Sequence, residues 1–422
     1  MPPLNSFFHG NFVLADLGTG NAAVVPWPEP LRDASKSAVV GGETAAALLS
    51  GIYPDALILA TGPLTGTMTP GSGALFASCP GPDGKQAGIP LFPNHGPALK
   101  SAGVDFAVLT GTAPGPSVLV IAGRGAVIEP SGGIEKLDVS GMRKSLLARR
   151  PDFRQSLILC GPAGRNRSTW ASAGLEAGTS LDRGTLAGWM AAHNLTAIVL
   201  AGNGPMPNAD FGRSLFGISG PESGHKGFIE VIESAGLGEA AKTAAVKYLG
   251  RPAACRLCVR PCLAYMKPEK VGSGLLCTDH AGFAAMSESC PDSVPQALAI
   301  CARLGLNPVS AASAIGGVPA ADIEKALTDL PLNRTARPDA ESVVKRPVLL
   351  LSHPGAEEKL AVGSILGICP LLMQRWAELP GDNWPTGMEE EEGTASIGKM
   401  LNASLTLTGL TPGRPRQTDT EL

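Results

Sequence analysis

Three thiols stand within eight positions in the stretch CRLCVRPC, residues 255–262. Cys255, Cys258 and Cys262 form a C-x2-C-x3-C motif, and Pro261 fixes the backbone just before the third thiol. Thiolates are soft donors, which points to zinc or an iron–sulfur cluster. A structural zinc site commonly takes its ligands as two close pairs, and no second C-x2-C or H-x3-H pair follows here. A [4Fe-4S] cluster can take three ligands from one loop and a distant fourth, so the spacing favours a cluster. The flanks are basic and proline-rich rather than core-like. The fourth donor would come from Cys79, Cys160, Cys277, Cys290, Cys301 or Cys369. Cys160 and Cys301 lie in the apolar runs LILCG and LAICARL and read as core thiols; spacing does not choose among the others.

The elements that must position these thiols follow from composition and periodicity. A chain of 422 residues with 44% hydrophobic residues and a net charge of −3 reads as a soluble globular protein of two or three domains. It carries no basic footprint for nucleic acid, no polybasic run for a membrane surface and no apolar run long enough to span a bilayer. Its start, MPPLNSFFHGNFVLADLG, has neither the charged n-region nor the apolar core of a secretory signal. Nine cysteines, mostly scattered singly, suit a reducing compartment, and the expected location is cytoplasmic. The six histidines (9, 95, 193, 225, 280 and 353) do not cluster at metal spacing. The glycine-rich TGTMTPGSG lacks the GK[ST] ending of a P-loop, and no G-x-S-x-G elbow is present.

Up to about residue 205 the chain reads as short strands closed by glycine: NFVLADLG, DALILATG, DFAVLTGTA, SVLVIAG and QSLILCG. Helical periodicity then takes over, as in VPQALAICARLGL. The expected fold is α+β. A β-rich domain spans residues 1–205, a helical domain with the cysteine motif spans 206–330, and a short helical domain with Cys369 and a frayed tail spans 331–422.

The stretch ATGPLTGTMTPGSGALFASCPGPDG, residues 60–84, resembles the fingerprint of the aldehyde ferredoxin oxidoreductase family. FVLADLGTG, VVGGETAAALL, GPALKSAGVDFAVLTGTA, CGPAGRNRSTWASAG and SLDRGTLAGWMAAHNLTAIVLAG follow in family order. After them come the cysteine motif, CARLGLNPVSA and GSILGICPL. The chain is identified as a shortened and divergent member. The resemblance implies two related β-sheets forming a base for a tungsten or molybdenum bis-pterin, covered by helical domains, with a [4Fe-4S] cluster beside the pterin. It selects Cys369, in SILGIC, as the fourth cluster ligand, and it assigns Arg183, Gly305, Leu306 and Gly367 to the cofactor.

Several positions depart from the family pattern. Ala302 and Ser364 stand where the two D-x-x-G-L motifs carry Asp, and Asn307 ends the first of them. Ala74 replaces a cofactor-binding Arg, Pro90 and Phe92 fall where a glycine turn is expected, and Thr185 replaces a Gly. The pair Asp279 and His280 is the nearest candidate for a titratable group beside the metal. Two readings follow. One is an enzyme that oxidises an aldehyde or related carbonyl and passes electrons to ferredoxin. The other is a non-catalytic paralogue without pterin, an electron-transfer or scaffolding subunit that keeps the cluster and works beside another redox subunit. An oligomer is compatible with both.

Overall fold

The structure, a computed structural model, describes residues 4–81, 84, 86–151, 155–175, 178–179, 184–211, 226–234, 238–258, 263–267, 277–278 and 280–332. Arg183, Cys262, Asp279, Ser364, Gly367 and Cys369, with the rest of the expected C-terminal domain beyond residue 332, lie outside these residues.

The β-branched runs form two six-stranded sheets. The first contains β1 (Asn11–Asp16), β2 (Asn21–Pro26), β3 (Leu57–Ala60), β4 (Leu75–Pro80), β5 (Gln86–Leu91) and β6 (Phe106–Thr110), in the order β2-β1-β6-β3-β4-β5. The second contains β7 (Ser117–Ala122), β8 (Gly125–Pro130), β9 (Gln155–Leu159), β10 (Gly174–Leu175), β11 (Gly178–Thr179) and β12 (Leu195–Ala201), in the order β8-β7-β12-β9-β10-β11. Counted from their own first strands, the two orders are identical. In each sheet the first and sixth strands run parallel, and every other pairing is antiparallel. The expected pair of related sheets is therefore a topological duplication.

Helices repeat as well. After α1 (Glu29–Ala34), α2 (Gly42–Ile52) lies between the second and third strands of the first repeat, and α4 (Val139–Arg149) does so in the second. Before the sixth strands come α3 (His95–Ser101) and α6 (Thr185–Ala192). Gly103 and Asn194 precede β6 and β12 in left-handed backbone, at φ 86° and 54°; glycine and asparagine adopt it at low cost.

Strand alternation sends successive side chains to opposite faces. Val13, Leu59 and Leu109 of the first sheet share one core with Leu119, Ile158 and Leu200 of the second. The outer faces use the alternate residues: Phe12, Ile58 and Phe106 against Leu49 of α2, and Val120, Leu157 and Val199 against Met142 and Leu146 of α4. Fully burying one such large side chain contributes about 1.5–3 kcal/mol, so these layers hold the strand ends rigidly. The repeats are also cross-tied. His95 Nε2 of α3 bonds Leu157 O at 3.1 Å, and Trp189 Nε1 of α6 donates to Asp55 O at 3.0 Å.

Beyond α5 (Pro162–Arg165), the helical part comprises α7 (Lys226–Ser234), α8 (Glu239–Tyr248), α9 (His280–Ser289), α10 (Val294–Leu304), α11 (Pro308–Ile315) and α12 (Ile323–Asp329). They enclose a core of Phe228, Phe283, Leu298 and Ile315, which Ala163, Trp170 and Ala187 of the second repeat share. One feature departs from the helical reading of this region. A small sheet, β13 (Leu249–Ala253), β14 (Leu263–Met266) and β15 (Cys277–Thr278), is ordered β13-β14-β15. Its strands are short, and Pro252 sits within β13, where it is tolerated because that strand is an edge. The cysteine motif occupies the connection between β13 and β14.

Candidate metal centre

The β13–β14 connection begins as a tight turn. Cys258 N donates to Cys255 O at 3.0 Å, and Leu257 between them takes left-handed backbone at φ 53°. That conformation costs a non-glycine residue about 1–2 kcal/mol, so the turn must be held by its surroundings. Cys255 is buried and Cys258 half-buried. Two soft donors three positions apart on one turn suit a thiolate-bound centre.

What holds the turn is the glycine-rich loop that follows β3. Gly71 N donates to Arg256 O at 3.2 Å. A side chain at Gly73 would lie 3.5 Å from Arg256 Cβ and would collide with Pro93 O. From Thr61 to Ala74 every residue except Met68 is buried. The loop's hydroxyls bond inside the protein. Thr65 Oγ1 accepts from Gly62 N at 2.9 Å, Thr67 Oγ1 donates to Leu64 O at 2.7 Å, and Ser72 Oγ donates to Thr67 O at 2.9 Å. The loop is thus a closed protein surface on which the cysteine turn sits.

Beneath it lie two buried groups of opposite charge, Lys100 and Asp105, that the sequence reading missed. Lys100 Nζ, fully buried, donates to Gly62 O and Pro63 O, both at 2.9 Å. Asp105 accepts from His9 N at 2.9 Å and Gly10 N at 2.8 Å. Burial pushes the Lys100 ammonium down to about 7, opposed by the attraction of Asp105. Burial likewise pushes the Asp105 carboxyl up to about 6, opposed by Lys100 and the backbone donors. The signal in the sequence was two opposite charges inside an apolar, glycine-bounded run. In the second repeat the corresponding positions are Ala191 and Thr196. The clamp therefore serves one repeat alone.

Gly305 and Leu306 are placed at the equivalent end of the second repeat. Gly305 ends α10 in left-handed backbone at φ 70°, and Asn307 caps α11 by accepting from Ser310 N at 2.9 Å. Ser172 N donates to Gly305 O at 2.8 Å, and a Cβ on Gly161 would come within 3.2 Å of Gly305 Cα. Leu306 is wholly buried in the helical core. The loop after β3 thus seats the cysteine turn through Gly71 and Gly73, and the Gly161-Pro162 turn after β9 lies against Gly305 of Gly-Leu-Asn.

The other thiols separate by environment. Cys79 is buried in β4, Cys160 at the end of β9, and Cys290 and Cys301 in the helical core. Burial pushes the Cys290 thiol up to about 11. Among the described residues, none of these four joins Cys255 and Cys258 in a group of three ligand-type side chains. Cys277 stands across from Tyr265 in β15. His280 is buried at the start of α9, with its ring 4.6 Å from that of Phe228.

Arg256 also borders a cavity of about 800 Å³. Its walls come from α3 and the residues before it, from the start of β9 and the segment after β12, and from the small sheet. Gly305 lies past the far end of β9, about 16 Å from Ser156 by strand rise. The cavity and the Gly-Leu-Asn motif are separate places.

Residues 27–202 match the N-terminal domain of aldehyde ferredoxin oxidoreductase. Over residues 27–202 the chain thus carries that family's N-terminal domain. The tungsten-containing aldehyde ferredoxin oxidoreductase of Pyrococcus abyssi is 32% identical over 158 residues, which is 37% of this chain and 26% of that protein. That of Pyrococcus furiosus is 28% identical over 213 residues, 48% of this chain and 34% of that protein. The matches thus span about a third or less of these relatives. The active-site complex of a benzoyl coenzyme A reductase, solved with 1,5-dienoyl-CoA, shares the fold with a TM-score of 0.60 at 16% identity, over 76% of this chain and 59% of that one. No helix among the described residues is long and apolar enough to cross a membrane.

The family's pterin can be tested against this chain's loop. Ala74, only 7% exposed, stands where the family resemblance expects a cofactor-binding Arg. The space that glycine leaves for a ligand is taken by protein: Met206 Sδ at Gly66, and Pro93 O with Arg256 Cβ at Gly73. A bis-pterin with phosphates needs charge-assisted donors, and the described loop turns its polar groups inward. The bis-pterin does not fit this loop.

Proposed function

We propose that this protein is a cluster-carrying redox member of its family that works without the bis-pterin, moving electrons to or from a partner redox protein. The single observation that supports the reading is the loop Thr61–Ala74: it is buried, internally bonded and occupied by the cysteine turn where a cofactor would approach. Cys255, Cys258 and Cys262 would hold a [4Fe-4S] cluster, with Cys369 as the fourth ligand by family resemblance. Such a cluster supplies one-electron transfer. The chain's own contribution is positional. Lys100 holds the Gly62 and Pro63 carbonyls, the loop holds Arg256, and the rigid turn holds the thiols, which limits reorganisation when charge changes. Arg256, between two thiols, adds a cation beside a centre that is net negative.

The test is metal and pterin analysis of protein purified anaerobically from its native host. The expected result is about four irons per chain with no tungsten, molybdenum or pterin. Iron together with tungsten or molybdenum and pterin would overturn the reading and restore an aldehyde-oxidising enzyme; zinc alone would overturn the cluster.

A further inference from the structure

We infer that the 800 Å³ cavity beside the cysteine turn binds a small neutral electron carrier of the quinone type. Its volume lies in the range of small-molecule sites, about 300–1,000 Å³. Ala254 and Arg256, the residues on either side of Cys255, both lie in its wall. A molecule held there stands beside the backbone that carries the first thiol.

The lining sets the charge of the ligand. It contains no Asp, Glu, Lys or His, and Arg256, its one charged side chain, is already engaged within the protein. An ion entering the cavity would give up water with no free counter-charge to replace it, which is costly. A neutral molecule carries no such penalty.

The polar side chains of the wall fall into two groups. Ser101 Oγ lies 3.1 Å from Ala98 O and 3.0 Å from Gly202 O, Gln155 Nε2 donates to main-chain oxygens of Leu147 and Arg150, and Asn203 also has a partner. Asn94, Ser156 and Tyr265 are different. Asn94 precedes α3 without capping it, Ser156 is only 3% exposed, and none of the three makes a side-chain hydrogen bond among the described residues. Carbonyl oxygens on a ligand would accept from these unmet donors. Pro97, Ala98, Met206 and Leu263 supply apolar surface for a ring. The ring of Tyr265 is held by Arg251, whose guanidinium lies 4.9 Å from its centroid. The carrier that answers to neutral charge, an apolar ring, carbonyl oxygens and a place beside a one-electron centre is a quinone.

Binding stands independently of the cluster; electron transfer rests on the function proposed above. Two electrons pass one at a time from the reduced cluster, which the partner redox protein refills between transfers. Two protons come from solvent, and both C=O groups of the quinone become C–OH. The hydrogen bonds to those oxygens stabilise the negative charge that develops before the protons arrive.

Isothermal titration of the full chain, iron-loaded and iron-free, with duroquinone tests the site; the ring methyl groups of this quinone block addition to thiols. Saturable 1:1 binding to both forms is expected, and none of benzoate, an anion built on a similar ring. Ser156→Ala and Tyr265→Phe, which each remove one hydroxyl, should weaken binding about threefold singly and about tenfold together. In the reduced, iron-loaded protein the rate of oxidation by duroquinone should saturate with its concentration, and the double variant should raise half-saturation by the same factor. No saturable binding, tighter binding of benzoate, or binding that the double variant leaves unchanged overturns the site. Binding with an oxidation rate that never saturates overturns electron transfer at the site. Binding by a chain that proves to carry no iron overturns the function proposed above, and the electron transfer with it, while the site stands.

Discussion

Replacing Gly73 with Ala tests the loop's role as the seat of the cysteine turn. A Cβ at this position would lie closer than 3.0 Å to Pro93 O, a main-chain atom that cannot rotate away, and 3.5 Å from Arg256 Cβ. To reach ordinary contact, the loop and its neighbour must part by about 1 Å, and overpacking of this kind costs about 1–3 kcal/mol. The Gly71–Arg256 hydrogen bond lies two residues away, and losing it adds about 0.5–1.5 kcal/mol. The expected destabilisation is roughly 2–4 kcal/mol. Because the displaced partner is the residue between Cys255 and Cys258, iron content should fall with stability. Urea unfolding under anaerobic conditions, paired with iron per chain, measures both. Gly188→Ala is the control: it lies inside α6 with nothing within 4 Å of the added Cβ, so it should stabilise by up to about 1 kcal/mol through helix propensity. If Gly73→Ala stays within about 0.5 kcal/mol of the parent and keeps its iron, the seat does not exist.

Two further predictions address the clamp and the thiols. Lys100→Met removes charge-assisted hydrogen bonds to Gly62 O and Pro63 O and the attraction on Asp105, and should destabilise by about 1.5–3 kcal/mol, while adding Asp105→Asn should recover part of that loss. A double-mutant cycle with additive losses would refute the coupling. The same pair sets a pH dependence. The unfolded lysine holds its proton up to its ordinary 10.5 and the folded one only to about 7, so stability rises with pH between these values. Asp105 holds its proton to about 6 when folded against 3.8 unfolded, so stability falls as pH rises through that lower window. Both slopes should vanish in the double mutant. For the thiols, Cys258→Ser should lose or convert the cluster, Cys369→Ser should leave at most three irons, and Cys277→Ser should keep all four, as read by iron analysis and electron paramagnetic resonance. A three-iron species from Cys277→Ser instead would move the fourth ligand to β15.

The sequence by itself determined what depends on near neighbours in the chain. Alternating β-branched runs such as LILA and SVLVIA marked strands, because a period of two is a local property. The turns Gly62-Pro63 and Gly161-Pro162, the Gly305 helix end and the Asn307 cap follow from single-residue backbone preferences. The C-x2-C spacing announced a thiolate turn for the same reason. The two related sheets were expected from the family resemblance and not from internal similarity of the residues, because the repeats share an inside–outside pattern but few residues: Lys100 and Asp105 answer to Ala191 and Thr196. β13 was hidden by its shortness and by Pro252. Only the tertiary structure decided what the glycine-rich loop does. Its glycines are equally suited to admit a cofactor or another stretch of backbone. Which of them arrives depends on Met206, Pro93 and Arg256, residues distant along the chain that packing alone brings onto the loop.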